Sequence, residues 1–190
     1  MKAVGCLCIG DLTVGKQVFS GPFPVHGLGG VALKPFVPAA GEDLWPGLQA
    51  ALQDVRAEYG SACVLAAGAG CAAALALSVQ LPVERLALLY PRRPCGPLRR
   101  LDRFARRNLA LCVSDVLVVS EGESAYAFAL LAGGLGAHSP VIRLCIDPNA
   151  GSEMFTNPEN GLNTALSRFL RTGELPKSLA ENPEMCIIYG

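Results

Sequence analysis

The chain has 190 residues, 51% of them hydrophobic, with 16 basic and 16 acidic side chains and so no net charge. That length and apolar content suit one compact domain with a sizeable core. With no uninterrupted apolar run of 18 residues and no basic, apolar and small-residue leader at the N-terminus, neither a membrane span nor a secretory signal is expected, and the expected location is cytoplasmic.

Eight cysteines fit that location, because no Cys-x-x-Cys pair occurs and only two histidines accompany them. A structural zinc needs a clustered donor set, so no metal site is expected and most of the thiols read as buried and reduced. Cys95 alone falls in a polar loop. Zero net charge hides an asymmetry. From Arg92 to Arg107 seven arginines stand against Asp102 alone, so this window carries +6 and the rest of the chain −6.

The first element is an apolar strand over 3–9. It runs into Gly10, four residues, Gly15 and Lys16, the spacing of a phosphate-binding loop, but Gln17 replaces the hydroxyl that would hold magnesium. The glycines and prolines between Val18 and Gly30 exclude the long helix such a loop requires. The segment reads instead as a β-hairpin, with strands 3–9 and 12–19 about a Gly10-Asp11 turn.

Val31 to Phe36 is a further strand. Glu42 to Tyr59 repeats apolar residues with helical spacing, with Pro46 tolerated in its first turn and Gly60 ending it. The chain then alternates. Strand 62–67 leads through Gly68-Ala69-Gly70 into an apolar helix, 71–80. Strand 85–90 stops at Pro91, and helix 98–112 precedes strand 115–120. Helix 124–133, strand 141–146, a polar loop over 147–160, helix 161–171 and strand 185–189 complete the pattern. Apolar strands alternating with helices indicate a Rossmann-like three-layer α/β/α domain with a mainly parallel sheet. The hairpin occupies 1–30, the core 31–171, and a tail with a last strand 172–190.

Ligands of such sheets bind beyond the carboxyl ends of the strands. Those ends are Gly68-Ala69-Gly70, Tyr90 to Arg93, Glu121 to Ser124 and Asp147 to Asn149. Gly68 and Gly70 leave room for close approach. Arg92 and Arg93 bring positive charge, and Ser124 is placed to cap a helix whose amides face the same crevice. In the helix from Leu98 to Cys112, an apolar stripe of Leu98, Leu101, Phe104, Ala105, Leu109 and Cys112 anchors the segment. Arg99, Arg103 and Arg106 share another stripe, with Arg100 and Arg107 alongside. Guanidinium forks match phosphate oxygens, so this face suits an anionic ligand or a nucleic-acid backbone, with an acidic protein surface as the alternative. Asn108 falls toward the apolar stripe, where its amide needs a bond to a neighbouring loop.

Two families are suggested by local stretches. Leu65 through Cys71 has the strand–turn–helix rhythm of an α/β-hydrolase nucleophile elbow, with Cys71 in the nucleophile's place and His26-Gly-Leu-Gly-Gly30 similar to an oxyanion loop. His138 is the other histidine, and Ser152 stands where the hydrolase histidine is expected. On that resemblance the chain is a degenerate or cysteine-dependent hydrolase.

The stretch from Arg106 to Glu121, RRNLALCVSDVLVVSE, resembles the signature of the DNA-processing protein A (DprA/Smf) family, and the resemblance extends over Val31 to Phe169. Tyr90-Pro91 is similar to that family's Tyr-Pro after a central strand. Ala66 to Ala73 takes the place of its glycine-rich strand–helix turn, and Asn157 to Phe169 is similar to its late Gly-x-Asn segment. Lys34-Pro35-Phe36 replaces its Gly-Ser-Arg turn, so the motifs are eroded. The family has a Rossmann-like fold and binds single-stranded DNA without turning it over. The resemblance therefore implies a non-catalytic protein that binds a nucleotide or single-stranded nucleic acid and needs no cofactor. Arg92, Arg93, Arg106 and Arg107 would meet phosphates, and Asn108 would hold the arginine helix in register. A second copy of the chain or an acidic protein are the other partners such a surface suits.

Overall fold

The computed structural model describes residues 3–10, 27–38, 43–122, 124–146, 161–181 and 186–189. Seven strands form one sheet: β1 (Val4–Ile9), β2 (Val31–Pro35), β3 (Cys63–Ala67), β4 (Arg85–Leu89), β5 (Asp115–Glu121), β6 (Val141–Ile146) and β7 (Cys186–Tyr189). Their order is β2-β1-β3-β4-β5-β6-β7. The first six are parallel, and β7 closes the edge antiparallel to β6. The expected Rossmann-like α/β architecture with a mainly parallel sheet is what the chain adopts.

The helices are α1 (Leu44–Tyr59), α2 (Cys71–Gln80), α3 (Leu98–Arg107), α4 (Ala125–Ala132), α5 (Gly161–Thr172) and α6 (Lys177–Ala180). α1 begins where the Asp43 carboxylate accepts the Trp45 N–H, and it ends at Gly60 with a left-handed φ of +87°. These are a side-chain N-cap and a glycine C-cap, each satisfying backbone groups the helix leaves open. Leu48, Leu52 and Val55 are its buried stripe, as the sequence spacing predicts.

Strands buried on both faces explain why their residues are apolar throughout rather than alternating. On one face Leu7, Ile9, Val64, Leu86, Leu88 and Val116 pack against α1 to α4. On the other, Cys6, Cys8, Cys63, Leu65 and Leu117 meet Leu28 and the Leu162, Leu166 and Phe169 side chains of α5. Each fully buried leucine or phenylalanine contributes about 2 kcal/mol. α2 lies between the sheet and α3 and is buried from Cys71 through Ser78, which is why its sequence carries no polar stripe.

Two details differ from the sequence-based expectation, and two expected segments lie outside the described residues. β1 is an interior strand with β2 and β3 parallel along its two edges; it belongs to the core sheet rather than to an N-terminal extension. The 12–19 half of the expected hairpin lies outside the described residues, as does the 147–160 loop. The arginine helix stops at Arg107 instead of Cys112. There Asn108 leaves the helical region (φ −127°), and a 3₁₀ turn over Leu109–Leu111 follows.

β2 lies on one side of β1 and β3 on the other. The chain therefore reverses its direction of travel between β1 and β3, and such a switch point opens a crevice at the carboxyl ends of the strands. The turns after β3, β4 and β5 all lie along that edge.

Candidate functional site

The turn after β3 is built from glycines for reasons that concern packing. Gly68 has a left-handed φ of +57°, and Gly68, Ala69 and Gly70 are all buried. A Cβ on Gly70 would collide with the backbone carbonyl of Gly10 and would meet Ile9 at 3.1 Å. The expected close approach at Gly70 is thus made by the end of β1, not left open for a ligand.

Next along the edge, Tyr90 follows β4 with a φ of +47°, a left-handed backbone that bulky side chains rarely adopt. Its N–H donates to the Val119 carbonyl at 2.7 Å, and the Arg92 N–H donates to the Gly68 carbonyl at 3.2 Å. These two bonds tie the β4 corner to its neighbours on either side. They hold the exposed Arg92 and Arg93 at the edge.

From this corner α3 starts beside the carboxyl ends and runs back toward the amino ends, where β5 begins. Ten residues carry it about 15 Å, so its arginines do not share one place. Arg93, Arg99 and Arg103 line one surface cleft of about 550 Å³ together with Pro94 and Asp102. Arg107 is exposed at the far end of the helix. Arg106 is committed elsewhere: its Nε donates to both Asp102 carboxylate oxygens at 3.1 Å, and its guanidinium lies 4.7 Å from the centre of the Tyr126 ring.

Tyr126 belongs to α4, and its hydroxyl donates to Asp102 Oδ1 at 2.5 Å. Burial, reinforced by this bond to a carboxylate, holds the Tyr126 phenol well above its usual range. Asp102, Arg106 and Tyr126 therefore lock α3 to α4. In the sequence Asp102 is only the single acid in a basic window, and nothing local marks Tyr126 as its partner.

Asn108 does not reach a neighbouring loop. Its Nδ2 donates to the Phe104 carbonyl at 2.7 Å and closes its own helix, satisfying a carbonyl that the helix end leaves open. Ser124 does cap α4 as expected, with Oγ accepting the Ala127 N–H at 3.3 Å. Its position after β5 puts the first-turn amides of α4 on the carboxyl edge.

The edge also holds a residue that the sequence does not advertise. Arg143 of β6 is 1% exposed and is the largest of the fully buried side chains. Its Nε donates to Ser120 Oγ at 3.2 Å and its Nη2 to the Gly122 carbonyl at 2.8 Å. The guanidinium lies 4.3 Å from the centre of the Phe128 ring. A single arginine in an apolar strand reads as a solvent-facing position. Only the α4 packing shows that it is enclosed.

A cysteine nucleophile does not emerge. Cys71 is fully buried, and its Sγ donates to the Ala66 and Leu89 carbonyls at 3.6 and 3.7 Å. His138 is exposed just before β6, at the opposite edge of the sheet, while His26 and Ser152 lie outside the described residues. Burial also raises the thiols of Cys6 and, to about 11, Cys63, which favours the inert protonated form. Among the described residues no group of three His, Cys, Asp or Glu side chains is placed to hold a metal, and no described helix is long and apolar enough to cross a membrane.

The edge thus offers exposed guanidinium groups, one locked ion pair and a capped helix N-terminus. No protein-family model matches the chain, and no curated protein matches it significantly.

Proposed function

We propose that the chain binds a nucleotide or single-stranded nucleic acid along the carboxyl edge of its sheet without catalysing a reaction. The observation that carries this reading is the convergence of Arg93, Arg99 and Arg103 on one cleft, beside the exposed Arg92. Guanidinium forks meet phosphate oxygens two bonds at a time, so three of them on one concave surface suit a polyanion better than a single carboxylate. Similarity to the DNA-processing A family supports the same reading. The residues that carry it, Tyr90-Pro91, Arg107-Asn108 and Ser114-Asp115, fall at the ends of β4 and α3 and at the start of β5. In this reading Arg106 and Asn108 build the helix, and Arg93, Arg99 and Arg103 meet the ligand.

Fluorescence anisotropy of a labelled oligo-dT tests it. Three phosphate contacts on a single strand predict a loss of about 20-fold in affinity between ~50 and ~200 mM salt. The double variant Arg99→Ala/Arg103→Ala should weaken binding at ~50 mM and flatten the logarithmic salt slope by about 1.4. Absence of binding at ~50 mM by both oligo-dT and ATP defeats the proposal.

A further inference from the structure

The cleft that holds the arginines is not uniformly basic. Arg99, Asp102 and Arg103 stand at i, i+3 and i+4 of α3 and so share one face. Asp102 lines the cleft with them and with Arg93, so three guanidinium groups meet one carboxylate among the described lining residues. Neither cleft arginine of α3 pairs with that carboxylate. Its ion pair is with Arg106, and Arg103 Nε donates instead to the Arg99 carbonyl at 3.4 Å.

Asp102 is held in one orientation. Oδ1 accepts from the Tyr126 hydroxyl and from Arg106 Nε, and Oδ2 accepts from Arg106 Nε alone. A carboxylate has about four acceptor sites in all, so Oδ2 keeps one, and 12% of the side chain stays exposed. A fixed anionic acceptor repels phosphate oxygens and attracts an N–H. Guanidinium forks beside one oriented carboxylate therefore suit a ligand that carries an amino donor as well as phosphates. Bases divide on this point. Adenine, cytosine and guanine carry an exocyclic amino group, whereas thymine and uracil have only carbonyl oxygens flanking a ring N–H. We propose that Asp102 is a specificity-determining residue: it accepts a hydrogen bond from the amino group of a bound base and so selects amino-bearing bases over thymine and uracil. The inference rests on the binding function proposed above and names the bases its cleft takes.

Anisotropy of labelled oligo-dC and oligo-dU of equal length tests it, since the two share every phosphate and differ on the base edge. Wild type should bind oligo-dC about tenfold more tightly. The ratio should be the same at ~50 and ~200 mM salt, because the phosphate contacts are equal. Asp102→Asn removes a negative charge from the cleft and leaves a neutral acceptor. It should bind both oligonucleotides more tightly and shrink the ratio to about threefold. Tyr126→Phe breaks the bond from α4 but keeps the carboxylate, and it should keep the tenfold ratio. Equal affinity of wild type for the two oligonucleotides overturns the proposal without any variant and leaves the binding function standing. A tenfold ratio in folded Asp102→Asn overturns it too. So does loss of the ratio in Tyr126→Phe, which would trace the preference to the packing of α3 on α4. Wild-type protein that binds neither oligonucleotide, nor oligo-dT or ATP, at ~50 mM salt defeats the function proposed above and this inference with it.

Discussion

The exposed arginines of α3 and the buried Arg143 are chemically the same group in opposite surroundings. Arg99, Arg103 and Arg107 stand in solvent, where their charge acts through a high dielectric and is screened within about 10 Å. They are available to phosphates and contribute little to the fold. Arg143 is enclosed, held by two neutral oxygens and covered by Phe128. It is unavailable to a ligand and instead holds the Gly122 carbonyl in place. Arg106 falls between them, with 31% of its side chain exposed and its Nε spent on Asp102. What a guanidinium can do here follows from its enclosure and its partners, not from how many arginines surround it.

The contrast breaks most easily on stability. Arg143→Ala removes a buried side chain, opens a cavity beneath α4 and takes a donor from Ser120 and Gly122, which should cost about 3 kcal/mol. Arg99→Ala should cost less than about 0.5 kcal/mol. Urea unfolding of the two variants beside wild type measures both. Equal losses would show that burial is not what separates the two regions.

This difference also marks where sequence reading works. The parallel sheet was legible because Val64 to Ala66, Leu86 to Leu89 and Val116 to Val119 are apolar without alternation, a pattern that only burial on both faces explains. α1 announced itself through helical spacing and a glycine stop. The end of α3 did not, because Leu109 and Cys112 continue the apolar stripe while Asn108 turns back onto Phe104. Arg143 was silent for a different reason. Its burial depends on Phe128 in α4, and its bonds depend on Ser120 and Gly122, 23 and 21 residues away along the chain. Asp102 likewise finds Tyr126 across 24 residues. Side-chain pairings between elements are set by tertiary packing, which no local pattern encodes.

A smaller effect sharpens the intermediate case. The Tyr126 phenol is raised in the folded protein by burial and by its bond to Asp102, against an ordinary value of about 10 in the unfolded chain. A raised acid contributes stability that is complete below the unfolded value and is lost as pH climbs past it toward the folded value. Tyr126→Phe should therefore cost about 1 kcal/mol near neutral pH. The gap between wild type and variant should stay flat to about pH 9 and narrow above about pH 10. Denaturant midpoints collected across that range read it directly. A gap that does not narrow would mean that the hydroxyl is not held by the Asp102 carboxylate, and the lock between α3 and α4 would reduce to the Arg106 pair.

The smallest expected effect is at Arg107, and it separates charge density from geometry. Arg107 is eight residues beyond Arg99, about 12 Å along the helix axis, and four beyond Arg103, about 6 Å, and it does not line the cleft. It is exposed, and its only evident local benefit is a cation in the last turn, worth a few tenths of a kcal/mol against the helix dipole. Arg107→Ala should therefore change stability by less than about 0.5 kcal/mol and oligo-dT affinity by no more than about twofold. If instead it weakens binding as much as Arg99→Ala does, the ligand lies along the whole of α3. In that case the basic stripe as a charged surface, and not the Arg93, Arg99 and Arg103 cleft, is what the polyanion recognises.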